Sequence, residues 1–442
     1  MKIMLISHSP LISGGAEKCL VEYTEVLKKA GNDCLVVVPA KGELTKLLTK
    51  KDIAWSVVSY VWATKPRRKR DVHSSIENAG RSLAGTLKEA KKFKPDIIMV
   101  NTMVIPWGLY AGKMLNIPTV LLVHETLSDK QHILDMEPNY EDYVSIINKN
   151  TDYIIYNSVS TKRDYADLIK KPVVSKKILY PVPDLKRYID VKYKENEIAD
   201  NVKIAIIGSM HKTKNQMEAV KAAKKMIDRG INNFTLNLYG DKDVEYVDTM
   251  YKYIKKNHLE KNIEIKGYAE DIYDVINNHN VVLIPFLNES FGRALLEGQL
   301  FGRVVIANDS GANPDLIDDM DTGILYEQGN INQLTDKLIW VLNNQEKALD
   351  IGKKARERQR KKYLTDEQYA ALFDVVEFFK NHTKKEQTLN RYDPLTSLGE
   401  YANGVDHKYR HLYRISHNRI TRTTIHYSRK AAKLIYSKIK IK

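Results

Sequence analysis

Two carboxylates and a glycine turn hold the residues of this sequence best placed to do chemistry. Glu289 and Glu297 flank a turn-to-helix junction in the stretch Val281-Val-Leu-Ile-Pro-Phe-Leu-Asn-Glu-Ser-Phe-Gly-Arg-Ala-Leu-Leu-Glu297. The apolar run Val281–Ile284 has the pattern of a fully buried parallel strand. Pro285 ends it, and Asn288 or Ser290 is placed to cap a helix starting near Phe291. Eight residues of helix rise about 12 Å, which would put the two carboxylates at the ends of a ligand of that length. Free N–H groups of the helix N-terminus would lie between them and suit a diphosphate. Gly292 would let it approach the backbone closely. The same residues also fit an ordinary strand–helix unit with two solvated glutamates.

The residues after Glu297 separate the two readings. The chain continues Gly298-Gln-Leu-Phe-Gly302-Arg-Val-Val-Ile-Ala-Asn-Asp-Ser-Gly311-Ala, a helix ending at glycine, a second apolar strand and a second glycine turn. From Pro285 to Gly311 the order is Glu, seven residues, Glu, a small-residue turn, a Val/Ile strand and a Gly loop. This composite resembles the signature of the retaining glycosyltransferases of family 4, which have the GT-B fold. The resemblance implies an α/β protein of two facing Rossmann-like doubly wound domains with an interdomain cleft. It further implies transfer of a sugar from a nucleoside-diphosphate donor with retention, without a bound metal and without a cofactor. A UDP-sugar is the default donor on frequency alone. Glu297 would hold the ribose and Glu289 the donor-sugar hydroxyls. The loop and amides of Ser290, Phe291 and Gly292 would receive the phosphates.

The elements around these residues repeat one alternation. Strand Lys2–Ser7 leads through Gly14-Gly15 into helix Ala16–Ala30, and such a glycine pair can turn backbone N–H groups toward an anion. It resembles the family's Gly-Gly-Ala-Glu, which touches donor phosphate or acceptor. Strand Pro118–Val123 ends in His124-Glu125, at the edge where open α/β sheets bind ligands. The resemblance makes His124 a contact to the transferred sugar. Strand Val202–Gly208 leads through Ser209 to Lys214 and a helix, where a lysine adds a point charge to the helix dipole. In the family an Arg stands directly after the glycine and a Lys some five residues on. Lys214 matches, and would counter the leaving-group charge. The Arg place is Ser209, with Lys212, His211 or Arg293 as substitutes on the phosphates. Residues 1–190 are expected as the N-terminal, acceptor-side domain and 200–362 as the nucleotide-sugar-binding domain. A helix over 363–382 would cross back, and 383–442 form a basic extension beyond the family match.

Charge and composition bound the rest. With 43% hydrophobic and 28% charged residues the chain is globular. Its two cysteines, Cys19 and Cys34, have no metal-type spacing and suit a reduced, cytoplasmic setting. The formal net charge is +15, and residues 405–442 hold two thirds of the excess. Trp62 followed by Arg67, Arg68, Lys69 and Arg70 fits an anionic bilayer surface or an acceptor contact. The extension, with its interleaved aromatics and cations, fits the same surface. The expectation is therefore a peripheral enzyme on the inner membrane face, acting on a glycan or polyprenyl-linked acceptor in surface-polysaccharide synthesis, with nucleic acid an unlikely partner. The alternatives are a GT-B nucleotide-sugar epimerase, or a non-catalytic basic protein bound to membrane or nucleic acid.

Overall fold

The computed structural model describes residues 1–12, 14–63, 72–126, 140–166, 176–178, 194–197, 200–241 and 243–381. Arg67, Arg68, Lys69, Arg70, the connector 180–184 and the extension 383–442 lie outside these residues. The chain divides into two compact units.

The first unit is a seven-stranded parallel sheet. Its strands are β1 Lys2–Ser7, β2 Asp33–Val38, β3 Ala54–Val57, β4 Ile97–Asn101, β5 Thr119–Val123, β6 Tyr153–Tyr156 and β7 Lys176–Ile178. They run in the order β3-β2-β1-β4-β5-β6-β7. Near-continuous apolar runs such as Ile97-Ile-Met-Val make these strands, because helices cover both faces of the sheet. Strand alternation divides them. Met4, Ile6, Ile98 and Val100 pack into one core layer, while Ile3, Leu5, Ile97 and Met99 enter the other. That second layer is completed from far along the chain. Leu372, Val375, Val376 and Phe379 of the helix Ala370–Asn381 are buried in it. Phe378 and Phe379 set their rings against Tyr153, with centroids 5.9 and 6.3 Å away. The one helix expected over 363–382 is instead a 3₁₀ turn, Asp366–Tyr369, followed by this helix.

The second unit repeats the plan with six parallel strands, in the order β10-β9-β8-β11-β12-β13. These are β8 Val202–Ile207, β9 Phe234–Tyr239, β10 Ile263–Gly267, β11 Val281–Ile284, β12 Val304–Asn308 and β13 Ile324–Tyr326. Side-chain caps begin some of its helices. Asp271 accepts from the Tyr273 amide at 2.9 Å, and Asn330 from that of Gln333 at 3.0 Å. A buried arginine also fixes the unit. Arg303 donates from Nε to the Phe301 carbonyl at 2.9 Å and from its terminal nitrogens to those of His279 and Lys194.

In each sheet the strand order reverses once, between β1 and β4 and between β8 and β11. Ligands of open α/β sheets bind outside the carboxyl ends of the strands at such a switch point. Fold alone therefore directs attention to Ser7–Ser9 and Asn101–Thr102 in one unit, and to Gly208–Ser209 and Pro285–Phe286 in the other.

Candidate active site

In the second unit the switch point brings Lys214 and Glu289 together, although 75 residues separate them in sequence. The two are ion-paired, and both are largely screened from solvent. Lys214 Nζ also lies 4.3 Å from the centroid of the Phe286 ring, so its ammonium has an aromatic face beneath it. Lys214 ends a short 3₁₀ turn, Lys212–Lys214, just before the helix Gln216–Asp228. The turn is anchored to the strand-end loop, since the Leu287 amide donates to the Thr213 carbonyl at 2.9 Å. His211 sits half-buried beside it, its Nδ1 2.7 Å from the Thr213 hydroxyl. Burial first, and then the Lys214 charge, push the His211 imidazole below its ordinary pKa. Lys212 is exposed.

Backbone packing fixes the Glu289 loop. Asn288 has φ +48° and Gly292 φ +87°. Gly311, at φ +58°, packs so closely that an added Cβ would come 2.4 Å from the Glu289 carbonyl oxygen and 2.6 Å from its nitrogen. The Ala312 amide donates to that carbonyl at 2.8 Å. Behind it, Asn308 donates to the Phe286 carbonyl at 2.8 Å and accepts from the Ser310 hydroxyl at 2.7 Å. Gly208 leaves room for the Phe286 ring, and Gly240 for the backbone of Gly208. The Gly311 turn was visible in the sequence, but its contact with Glu289 was not.

The helix after this loop differs from expectation. It runs Arg293–Leu300, and its N-cap is Gly292 in the left-handed region with no side-chain cap. Neither Asn288 nor Ser290 caps it, and Phe291 precedes it. A left-handed residue turns the chain directly into the helix, a conformation glycine adopts without strain. Glu289 to Glu297 is consequently a turn followed by five helical residues, so the 12 Å helical rise does not describe their separation. Glu297 is buried, with Arg293 Nε 4.0 Å from its Oε1. Ser209 stands half-buried after β8, its carbonyl accepting from Gln216 at 3.0 Å.

The first unit gathers a second polar group at its own switch point. His124 Nε2 lies 2.9 Å from Asn101 Oδ1, and Asn101 in turn donates to the Ala16 carbonyl at 2.9 Å. Beside it the Glu125 carboxyl accepts from the His124 amide at 3.0 Å. Burial raises the Glu125 pKa in spite of that bond. Thr102, which bonds Glu125, has φ +125°, an outlying conformation for a β-branched residue. Gly14 spends its amide on Glu17 Oε2 at 3.0 Å, and the other carboxylate oxygen of Glu17 lies 3.2 Å from His8 Nε2. Gly15, exposed, opens the helix Gly15–Lys29. Sequence reasoning missed the roles of His8, Glu17, Asn101 and Thr102, which come together only through strand order. Among the described residues no three His, Cys, Asp or Glu side chains gather as a metal-ligand set. None of the described helices is long and apolar enough to cross a membrane.

Two Rossmann-like units, each with polar groups at its switch point, define a GT-B protein. The chain belongs to the glycosyltransferases: the model described as "Glycosyl transferases group 1" matches residues 190–358, and "Glycosyltransferase Family 4" matches residues 13–177. It is 32% identical over 147 residues to a poly(ribitol-phosphate) alpha-N-acetylglucosaminyltransferase of Staphylococcus aureus. That match spans 32% of this chain and only 29% of the relative. It is 24% identical to a UDP-Gal:alpha-D-GlcNAc-diphosphoundecaprenol alpha-1,3-galactosyltransferase of Escherichia coli, over 80% of this chain and 90% of that one. HepE of Anabaena, solved with UDP and glucose, superposes with a TM-score of 0.71 at 19% identity, covering 86% of this chain and 100% of HepE.

Proposed function

We propose that this glycosyltransferase moves a sugar from a nucleoside-diphosphate donor to a glycan or lipid-linked acceptor, with retention at the anomeric carbon and without a metal. UDP is the proposed nucleotide, in line with the UDP-bound Anabaena protein and the UDP-sugar donor named for the E. coli relative. The acceptor class follows the poly(ribitol-phosphate) and the diphosphoundecaprenol-linked sugar named for the two bacterial relatives. Action at the inner membrane surface remains part of the proposal.

The pairing of Lys214 with Glu289 carries the reading. The two opposite charges are pre-set for different parts of one donor. Lys214 neutralises charge developing on the departing diphosphate, the largest electrostatic demand of the reaction. Glu289 accepts hydrogen bonds from hydroxyls of the transferred sugar. The amides of Phe291 and Gly292 receive phosphate oxygens and Glu297 the ribose hydroxyls. Arg293, next to Gly292, takes the place of the arginine that Ser209 lacks. His124 contacts the transferred sugar without serving as a base. The departing phosphate takes the acceptor proton, with attack on the same face of the ring.

The test has two parts. A thermal-shift panel of nucleoside diphosphates finds the donor, because a ligand bound to the native state stabilises it by mass action. NMR of the product then reads the anomeric configuration, in the presence of a chelator. Inverted product, or activity abolished by the chelator, rejects the mechanism. Interconversion of the donor sugar without an acceptor favours an epimerase instead.

A further inference from the structure

Trp62, 37% exposed, was grouped by sequence with the basic run that comes after it. The structure ties it elsewhere. Its indole Nε1 donates to the His8 carbonyl at 2.7 Å, and its ring lies 5.5 Å from the His8 ring at a 48° tilt. The described residues around it are bonded down. The Tyr60 hydroxyl donates to the Ser7 carbonyl and lies 3.0 Å from that of Val37. The Val61 amide donates to the Ser82 hydroxyl at 3.2 Å, and the Ala63 amide to the Val104 carbonyl at 2.8 Å. Trp107 Nε1 donates to the Val61 carbonyl at 2.6 Å.

The His8 beneath it is itself positioned. Glu17 holds His8 Nε2 and is in turn held by the Gly14 amide. A side chain at Gly14 would meet Glu17 Oε2 at 2.9 Å, so this glycine serves the glutamate. A chain of contacts thus runs from the Gly-Gly-Ala-Glu turn through His8 to an aromatic face at the carboxyl edge of the first sheet. The indole is clamped, with part of its surface left exposed. A fixed aromatic face of this kind suits a ring whose C–H face stacks on it.

We infer that Trp62, fixed by His8 and Glu17, is the stacking platform for a pyranose ring of the acceptor, with Glu17 a positioning residue acting through His8. This rests on the transferase reading above, and it narrows the acceptor to one that presents a sugar ring at this edge.

The experiment uses the full chain, wild type and Trp62→Ala, Trp62→Phe and Glu17→Gln. The probes are the methyl pyranosides of glucose, galactose and N-acetylglucosamine, with phosphatidylglycerol vesicles as the competing surface. Saturation-transfer NMR reads contact with sugar ring protons, and the thermal shift with UDP is taken in parallel. At least one pyranoside receives saturation in the wild type. The signal is lost in Trp62→Ala and retained in Trp62→Phe. In Glu17→Gln the pyranoside binds at least tenfold more weakly at neutral pH, and the difference from wild type narrows in acid as the wild-type Glu17 carboxylate takes up its proton. Absence of any Trp62-dependent sugar signal overturns the inference. So does a vesicle-induced blue shift of tryptophan fluorescence that Trp62→Phe abolishes, in place of that signal. If UDP stabilises none of the proteins, the donor reading fails, and the sugar signal, measured without donor, still judges the platform on its own.

Discussion

The Lys214 ammonium is paired with the Glu289 carboxylate and rests on the Phe286 ring, joining the entrance of one helix to the loop before another. Removing either charge leaves its partner half-buried and uncompensated. Glu289→Gln keeps the size of the side chain while removing its charge and exchanging one acceptor oxygen for a donor. We expect it to lower kcat by about 100-fold with a smaller change in donor KM, because its contacts are worth most as charge develops. Steady-state kinetics with the donor found by thermal shift checks this.

Gly311→Ala tests the backbone packing behind Glu289. The position has φ +58°, and a Cβ there would press on the Glu289 peptide from 2.4 Å. The loop must move, so stability falls by about 2 kcal/mol or more and turnover falls with it. Urea unfolding and kinetics on one preparation measure both.

Two carboxylates of the first sheet's edge respond to pH in opposite directions. Burial alone would raise Glu17, but the His8 imidazole and the Gly14 amide bring its pKa below the ordinary value. Its contribution to stability is present above about pH 4.3, the unfolded value, and is lost as pH falls through the lower folded value. Glu125 is raised, first by burial. Its contribution is fully present below that unfolded value and is lost as pH rises through the folded one. Glu125→Gln should therefore stabilise the protein more at pH 7 than at pH 4, as read by urea unfolding. Glu17→Gln should destabilise most at pH 7, with the difference narrowing in acid.

Leu372→Ala empties a fully buried place in the first unit's core and loosens the helix Ala370–Asn381. It is expected to cost about 2–5 kcal/mol. Fluorescence-monitored denaturation measures the loss.

Much of the fold was legible because buried parallel strands and amphipathic helices announce themselves by period. β1 and β11 have the bounds their apolar patterns imply. The short helix Tyr140–Lys149 and the three-residue β7 were not read at all. The start of the helix bearing Glu297 was misplaced, because the polar residues before it suggested a side-chain cap. A left-handed glycine instead makes the turn, and nothing local distinguishes the two. The association of His8, Glu17 and Trp62 was invisible for another reason. Bonds linking β1 to residues some fifty positions later depend on strand order, which periodicity does not supply. The strain at Thr102 likewise has no signature in its neighbours.

The central claim is that a nucleoside diphosphate binds at the carboxyl edge of the second sheet, with Lys214 as its cation. Titration calorimetry of UDP against wild type and Lys214→Ala tests it most directly. Saturable binding to wild type, weakened at least tenfold by the substitution, is the predicted result; UDP binding of equal strength to both, or no binding of any nucleoside diphosphate to the wild type, would contradict it.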